Sequence, residues 1–170
     1  MKKSTILMLV VIYVVAFFVV GLFGVSLRAH YKVNYVSEII VKPLETTEVV
    51  EHTGAGGHEV EEILNEEDPE HARYNRTYRY AAAYTPGLVL GFRVQVKPDN
   101  STYDKFETLY TEKPNTYTIE TKENSNDVYI HMLKKGTVIL RFQSTDANRT
   151  ETVLQVTVFK EGTVLKDIAK

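Results

Sequence analysis

The sequence predicts an all-β domain, built as a sandwich of two packed sheets, behind a single N-terminal transmembrane α-helix. Two patterns support this: an uncharged apolar run near the start, and an alternation of apolar and polar residues with a period of two later on. The 170 residues leave room for one domain plus an anchor. Because the chain has no cysteine, an apolar core must stabilise this domain without disulfides.

The anchor is predicted at residues 4–27, where no side chain is charged. As a helix these residues span about 36 Å, which exceeds the roughly 30 Å hydrocarbon core of a bilayer. A cleaved signal peptide is the main alternative, but its apolar region is shorter, about 7–15 residues, and ends in small residues. Here the only plausible junction places the bulky Leu27 before Arg28 and Ala29. A buried helix of a soluble protein is the other alternative, and such long apolar runs are rarer there.

The orientation of this anchor is nearly balanced by charge, since Lys2 and Lys3 precede it and Arg28 and Lys32 follow it. The short charged head and the long C-terminal part favour a signal-anchor with its N-terminus in the cytoplasm. We therefore expect a single-pass protein of the cell membrane. Residues 1–32 would form the cytoplasmic tip and anchor, 33–160 the extracytoplasmic sandwich and 161–170 a C-terminal tail.

Net charge excludes one class of partner. The chain has a formal charge of −2, and its first 32 residues contain four basic side chains and no acid, so the rest carries −6. A net-acidic domain argues against nucleic acid, since phosphate binding needs a basic face. The absence of cysteine favours a Gram-positive-type bacterium, and N-x-S/T sequons at Asn75, Asn100 and Asn148 fit an outside location.

Three segments alternate clearly between apolar and polar residues, which predicts strands with one buried face. They are residues 88–96, 138–143 and 154–158. Weaker strand candidates lie at 36–41, 46–50, 116–120 and 128–132. Most spacings between these segments are near the 8–12 residues typical of a β-sandwich.

Four of these segments also resemble the strands and turns of a known family. Residues 36–43 (VSEIIVKP) are similar to its opening strand and 92–102 (FRVQVKPDNST) to a strand and turn that follow. Residues 135–146 (KGTVILRFQSTD) resemble a later segment and 153–159 the last strand. The family is the bacterial immunoglobulin-like domain of group 2, found in surface proteins and in intimin- and invasin-like adhesins. The resemblance implies an Ig-like sandwich with a binding role outside the cell.

The chain departs from this family in two places. The family's tryptophan is missing, and Leu109 or Tyr110 is expected to fill its position. An insertion at about 52–86 separates the opening strand from Gly87. Because a rigid sandwich presents its loops to partners, the insertion is the expected place for function.

The insertion carries three patterns that could bind small ligands or ions. The glycine-rich residues 53–57 lack the Lys-Ser/Thr pair of a phosphate loop, and the acidic residues 59–70 lack the spacing of a calcium loop. The histidines at His52, His58 and His71 do not form the H-E-x-x-H pattern of a zinc site. We therefore favour solvated loop residues, with calcium or zinc as alternatives, and expect no metal and no cofactor.

The expected binding residues form an aromatic and basic stretch after the acidic segment: Arg73, Tyr74, Arg76, Tyr78, Arg79 and Tyr80. In a strand, the side chains at 74, 76, 78 and 80 share one face. Tyrosine and arginine are enriched at interface hot spots, and tyrosine also stacks on sugars. One alternative is an edge strand with solvated arginines. Another is a helix capped by Asp68, with Pro69 in its first turn and an end before Pro86.

No catalytic motif is present, since both G-x-S-x-G and S-x-x-K are absent. The protein is therefore not expected to be an enzyme. The favoured hypothesis is a membrane-anchored, extracytoplasmic Ig-like module for binding or adhesion, which contacts a protein or glycan at the cell envelope. The alternative is a non-catalytic accessory subunit of a larger membrane complex.

Overall fold

The computed structural model describes residues 3–30, 33–51, 60–64, 72–122 and 125–164, with the backbone alone at 24–30 and 60. The chain divides into two compact units, Met1–Val33 and Asn34–Lys170. Each unit is described below by itself.

In the first unit, the described residues Lys3–His30 form a helix, α1. From Lys3 to Phe23 it is long and apolar enough to cross a membrane or to act as a signal anchor, and its side chains are exposed. Phe17 and Val20 are 80% and 72% exposed. Exposed apolar surface of this extent is unfavourable in water. The predicted helix over residues 4–27 is thus confirmed, and its passage through a membrane stays a prediction.

In the second unit, the described residues form ten strands in two sheets. The strands are β1 Glu38–Pro43, β2 Val50–Glu51, β3 Val60–Ile63, β4 Arg73–Ala83, β5 Val89–Lys97, β6 Phe106–Tyr110, β7 Tyr117–Thr121, β8 Asp127–Met132, β9 Gly136–Ser144 and β10 Glu151–Phe159. The four-stranded sheet has the order β1-β5-β8-β7, and the six-stranded sheet has the order β2-β4-β10-β9-β6, with β3 also paired to β4. Neighbouring strands are antiparallel, except that β4 and β10 are parallel.

This strand order is that of an immunoglobulin-like sandwich. In that fold the first, second, fifth and fourth strands form one sheet, and the third, sixth and seventh form the other. Strands β1, β5, β6, β7, β8, β9 and β10 occupy these seven positions in chain order. Strands β2, β3 and β4 are additional, and they enlarge the second sheet. The predicted all-β, Ig-like sandwich is therefore confirmed.

The core lies between the two sheets and is built from the inward-facing residues of alternating strands. Phe92 and Phe142 are its largest fully buried side chains. Aliphatic residues from both sheets surround them: Ile39, Leu90, Ile130, Leu140 and Leu154. Each such side chain stabilises the fold by about 1.5–3 kcal/mol relative to exposure. All three strongly alternating segments are strands with one buried face, as predicted.

Strand β6 corrects the expectation about the missing tryptophan. Leu109 and Tyr110 remain 44% and 41% exposed, so neither fills a core position. Instead Phe106 at the start of the strand packs against Phe142, with the ring centroids 5.7 Å apart and the rings nearly perpendicular. The strand itself was not predicted, because its residues (FETLY) hold only one side chain that contacts the core.

Most of the described residues of the insertion form strands β3 and β4 of the six-stranded sheet, and do not project as a loop. Residues 73–83 form β4, which pairs with β10 along eight residues and also contacts β2 and β3. The glycine-rich residues 53–57 and the histidines His52, His58 and His71 lie outside the described residues, so the expectations about them are unchanged. The helical alternative for 69–85 is wrong, since β4 occupies most of that range.

A set of buried hydrogen bonds holds the start of the domain, and we call it the Val36 clamp. The N–H of Val36 donates to Asp146 Oδ2 at 2.6 Å. The carbonyl of Val36 accepts from Asn148 Nδ2 at 3.1 Å and from Thr150 Oγ1 at 2.7 Å. Ser144 Oγ donates to the other carboxylate oxygen of Asp146 at 2.6 Å. The clamp satisfies both the buried N–H and the buried C=O of Val36, next to the first strand.

The clamp also accounts for the sequon at Asn148. This side chain is only 6% exposed, and its amide nitrogen is the Val36 donor. A bulky glycan on that nitrogen has no room at a position buried to this extent. Asn148 is therefore a structural residue in the folded domain and gives no support to an outside location.

Replacing the clamp carboxylate tests this account. Asp146→Ala leaves the N–H of Val36 and the hydroxyl of Ser144 without their acceptor, which should lower the free energy of unfolding by about 1–3 kcal/mol. Denaturant unfolding followed by circular dichroism measures the change. Asp104→Ala is the control, because Asp104 is exposed and should change stability by less than about 0.5 kcal/mol. Equal stability of the two variants would contradict a structural role for the clamp.

Candidate binding surfaces

Strand β4 carries all six predicted binding residues, and its alternation divides them between two faces. Residues 74, 76, 78 and 80 do share one face, but that face points into the sandwich. Tyr78 and Tyr80 are only 6% and 5% exposed and belong to the core. Tyr80 packs on Phe92 with the ring centroids 5.5 Å apart. The structure therefore corrects the prediction for these two tyrosines, which have no surface to offer a partner.

The environment of Tyr80 agrees with a core role. Burial, with a smaller contribution from the charge of Glu51, raises the pKa of the Tyr80 hydroxyl to about 12. Its neighbour Tyr74 is half-buried, and the backbone N–H of Tyr74 donates to the carbonyl of Ser37 at 2.8 Å. This face of β4 thus stabilises the sandwich.

Arg76 joins the two sheets. Its Nη2 lies 2.6 Å from Glu38 Oε1 on β1, and its Nη1 donates to the Tyr78 hydroxyl at 3.3 Å. The guanidinium also lies 5.8 Å from the centroid of the Tyr78 ring. A half-buried arginine with these partners is held by the fold, so Arg76 has a structural reason to be present.

Arg73 and Arg79 alternate to the outward face of the six-stranded sheet, and both are half-buried. Of the six predicted residues, these two lie on the face of β4 that points away from the core, where a partner can reach them.

The same outward face presents exposed aliphatic side chains that the sequence analysis did not select. Leu109 on β6 and Ile139 on β9 are 44% and 48% exposed. Leu109 lies opposite Arg141 on β9. Ile139 is two residues before Arg141, so it is the diagonal neighbour of Leu109 and lies within reach of its side chain. Val153 on β10 lies opposite Arg141. Its neighbour on the same face, Gln155, lies between Ile139 on β9 and Arg79 on β4. We call Leu109, Ile139, Arg141, Val153 and Arg79 the outer patch.

Arg141 of the outer patch forms only a weak ion pair. Arg141 is 60% exposed, and its Nε is 3.8 Å from Glu151 Oε1. At this length and exposure an ion pair contributes little to stability. Arg141 can therefore exchange Glu151 for a carboxylate of a partner at small cost.

A groove opens between the two sheets on the side where β6 and β7 lie, and we call it the β6–β7 groove. Its volume is about 630 Å³, within the range of small-ligand and peptide pockets. It is lined by Asp104, Lys105, Phe106, Thr108, Tyr110, Ile119, Thr121, Ser125, Asn126 and Val128. A second hollow of about 240 Å³ shares Tyr110 and Ile119 with it and continues it toward Pro114. Sequence reasoning missed the groove because no local pattern marks an opening between two sheets.

Within the described part of the chain, no three His, Asp or Glu side chains lie close enough together to hold a metal ion. An exposed histidine pair places His131 Nε2 at 3.0 Å from Glu120 Oε2, on the outward face of the four-stranded sheet. Such a pair lacks a nucleophile and an orienting third group.

Comparisons with known proteins add little to this geometry. No family model matches the chain, and no curated protein matches it. Among solved structures it is similar to the M1 domain from titin, with 9% identity and a TM-score of 0.30. The likeness covers 53% of this chain and 93% of the titin domain. The fold class therefore depends on the strand pairing described above, and the group 2 resemblance stays a prediction.

Neighbouring residues of β4 test which face is structural. Tyr80→Ala should lower the free energy of unfolding by about 3–5 kcal/mol, because it leaves a cavity in the core. Arg79→Ala, one position away on the outward face, should cost less than about 1 kcal/mol. Urea unfolding of the two variants measures the difference. Similar losses for both would contradict the assignment of Tyr80 to the core.

Proposed function

We propose that this protein is a non-catalytic, membrane-anchored binding module whose Ig-like domain contacts another protein at the outer side of the cell envelope. The observation that carries the proposal is the outer patch, in which Leu109 and Ile139 are 44% and 48% exposed beside Arg141. A contiguous exposed apolar patch marks interaction sites, and arginine is enriched at the hot spots of protein interfaces.

The choice of a protein over a glycan depends on the location of the aromatic residues. Sugars stack on exposed aromatic rings, and the expectation of a glycan depended on the tyrosines of β4. Of these, Tyr78 and Tyr80 are buried and Tyr74 is half-buried. The outer patch offers aliphatic side chains and arginines, so the partner we expect presents apolar side chains next to carboxylates.

The anchoring part of the proposal is supported by helix α1, which is long and apolar enough to span a bilayer. We propose that its N-terminus is cytoplasmic and that the Ig-like domain is extracytoplasmic, with Lys2 and Lys3 on the cytoplasmic side of the apolar run. In this arrangement the outer patch faces partners outside the cell.

Single cysteines can test this topology, because the chain contains none. A membrane-impermeant maleimide should label Glu107→Cys in intact cells, since Glu107 is exposed in the Ig-like domain. Lys3→Cys should react only after the cells are permeabilised. Labelling is detected as a mass shift on a gel. The reverse pattern would show the opposite topology and remove the basis for an extracellular partner.

Charge reversal on the outer patch tests partner binding. Full-length chain is cross-linked in its native cells, extracted in mild detergent and analysed for co-purifying proteins. Ile139→Asp together with Arg141→Glu should lower the yield of the partner at least 10-fold, because it places carboxylates against an apolar and acidic surface.

The matched control for this experiment is Val89→Asp together with Lys42→Glu. Val89 is 43% exposed on the outward face of the other sheet, and Lys42 is exposed as well. This pair should leave the yield unchanged. A partner lost equally from both double variants, or from neither, would contradict the outer patch. If the unmodified chain co-purifies with its partner in fixed stoichiometry, the contact is that of an accessory subunit in a membrane complex.

A further inference from the structure

We infer that the β6–β7 groove binds an extended, uncharged polypeptide segment of the partner, which adds to the free edge of β6 as a further strand. The inference depends on the proposed binding role and names a second contact for it. Strand β6 connects the two contacts, because Leu109 belongs to the outer patch while Phe106 and Thr108 line the groove.

The first argument comes from the backbone of β6. The carbonyl of Lys105 accepts from the N–H of Thr145 at 3.2 Å. In an antiparallel ladder such bonded pairs alternate with pairs whose N–H and C=O groups point the other way. The backbone groups of Phe106, Thr108 and Tyr110 therefore point to the edge away from β9. In the described residues no strand pairs with that edge.

The opposite wall of the groove has the same property. On β7, the carbonyl of Thr116 accepts from the N–H of Leu133 at 2.9 Å, so alternate residues bond to β8. The backbone groups of Ile119 and Thr121 consequently point to the outer edge of the four-stranded sheet, where no described strand pairs with them. Both residues also line the groove. Two rows of backbone donors and acceptors, repeating every second residue, thus border one cavity.

This repeat identifies the class of ligand. Free edge groups recur at every second residue, about 7 Å apart along an extended strand. Only another extended polypeptide presents donors and acceptors with the same repeat, which is the basis of recognition by strand addition. A sugar or nucleotide could fill the volume but would leave this row of backbone groups without matching partners.

The side chains of the groove determine what the added strand must carry. Phe106, Tyr110, Ile119 and Val128 supply apolar surface, and hydroxyl and amide groups lie between them. Phe106 is held in place by its perpendicular contact with Phe142. Alternate side chains of a strand added to β6 would enter the groove, so we expect them to be apolar.

Charge complementarity determines the rest of the sequence. One acid and one base lie at each end of the groove: Asp104 with Lys105, and Glu112 with Lys113. Their charges cancel at both ends, so the groove favours a segment without net charge. The five residues of β6 correspond to about 17 Å, which suits a segment of roughly five to seven residues.

The groove is also preformed on the side of the connecting loop. The Tyr117 hydroxyl donates to the carbonyl of Thr111, and burial, with a smaller contribution from Tyr110, raises the pKa of this hydroxyl. This bond ties the loop that follows β6 to the start of β7. A site that is already ordered loses less entropy on binding.

The test uses the full-length chain in detergent micelles and a phage-displayed library of random heptapeptides as the probe. Selected peptides should carry apolar residues at alternate positions. Thr108→Pro should weaken binding of a selected synthetic peptide at least 10-fold, because it removes an edge N–H that does not bond to β9. Glu107→Thr is the control and should leave affinity unchanged, since this side chain alternates to the outward face. Fluorescence anisotropy measures the affinities.

A second variant keeps the test decisive if Thr108→Pro does not fold. Thr121→Arg fills the groove from the β7 wall without altering β6, and it should also weaken binding at least 10-fold. If a folded Thr108→Pro or Thr121→Arg variant bound the selected peptide with unchanged affinity, the inference would be overturned. The same holds if the selected peptides do not carry apolar residues at alternate positions. If peptides lose affinity only for Ile139→Asp, the groove is wrong and the outer patch stands. If peptides bind the groove while outer-patch variants retain the cellular partner, the outer patch is wrong and the groove stands.

Discussion

The main chain of Val36 is the point on which the sandwich depends. Its N–H and C=O are buried at the start of the domain, and an unpaired backbone group there would cost about 1–3 kcal/mol. Asp146, Asn148 and Thr150 satisfy both groups from the connection between β9 and β10. Further along β10, Thr152 Oγ1 donates to the carbonyl of Ile39 at 2.7 Å. The first and last strands of the Ig-like frame are thereby joined across the two sheets, and the core closes between them.

Strand β4 is additional to the seven strands of the Ig-like frame, yet it lies inside the six-stranded sheet, between β2 and β10. Its parallel pairing with β10 buries Tyr78 and Tyr80, and Arg76 reaches Glu38 on the other sheet. In an aromatic and basic stretch that resembles an interface, Tyr78 and Tyr80 are therefore core residues, and Arg76 connects the two sheets. What remains for a partner is the outward face, where Arg79 lies in the same row as Ile139.

The edges of the two sheets are the places where this fold can accept more chain. Free edges invite pairing with another strand, and proteins usually shield them with charges or short strands. Here β6 and β7 are only five residues long, and charged residues such as Lys105 and Glu112 lie at the ends of their groove. The same features that limit uncontrolled pairing would make a short, neutral segment a selective ligand.

Local pattern alone determined much of this molecule: the apolar helix near the N-terminus, the strands with strict alternation such as β5 and β10, and the two-sheet class. These follow from sequence because burial of one face imposes a period that neighbouring residues reveal. Only the tertiary structure decided which face of β4 is buried, since Tyr78 and Arg79 are equally plausible at an interface until β10 is placed beside them. It also decided that Asn148 is a clamp residue and that β6 and β7 border a groove. Each of these depends on contacts between residues far apart in the chain, such as Asn148 and Val36, which are 112 positions apart.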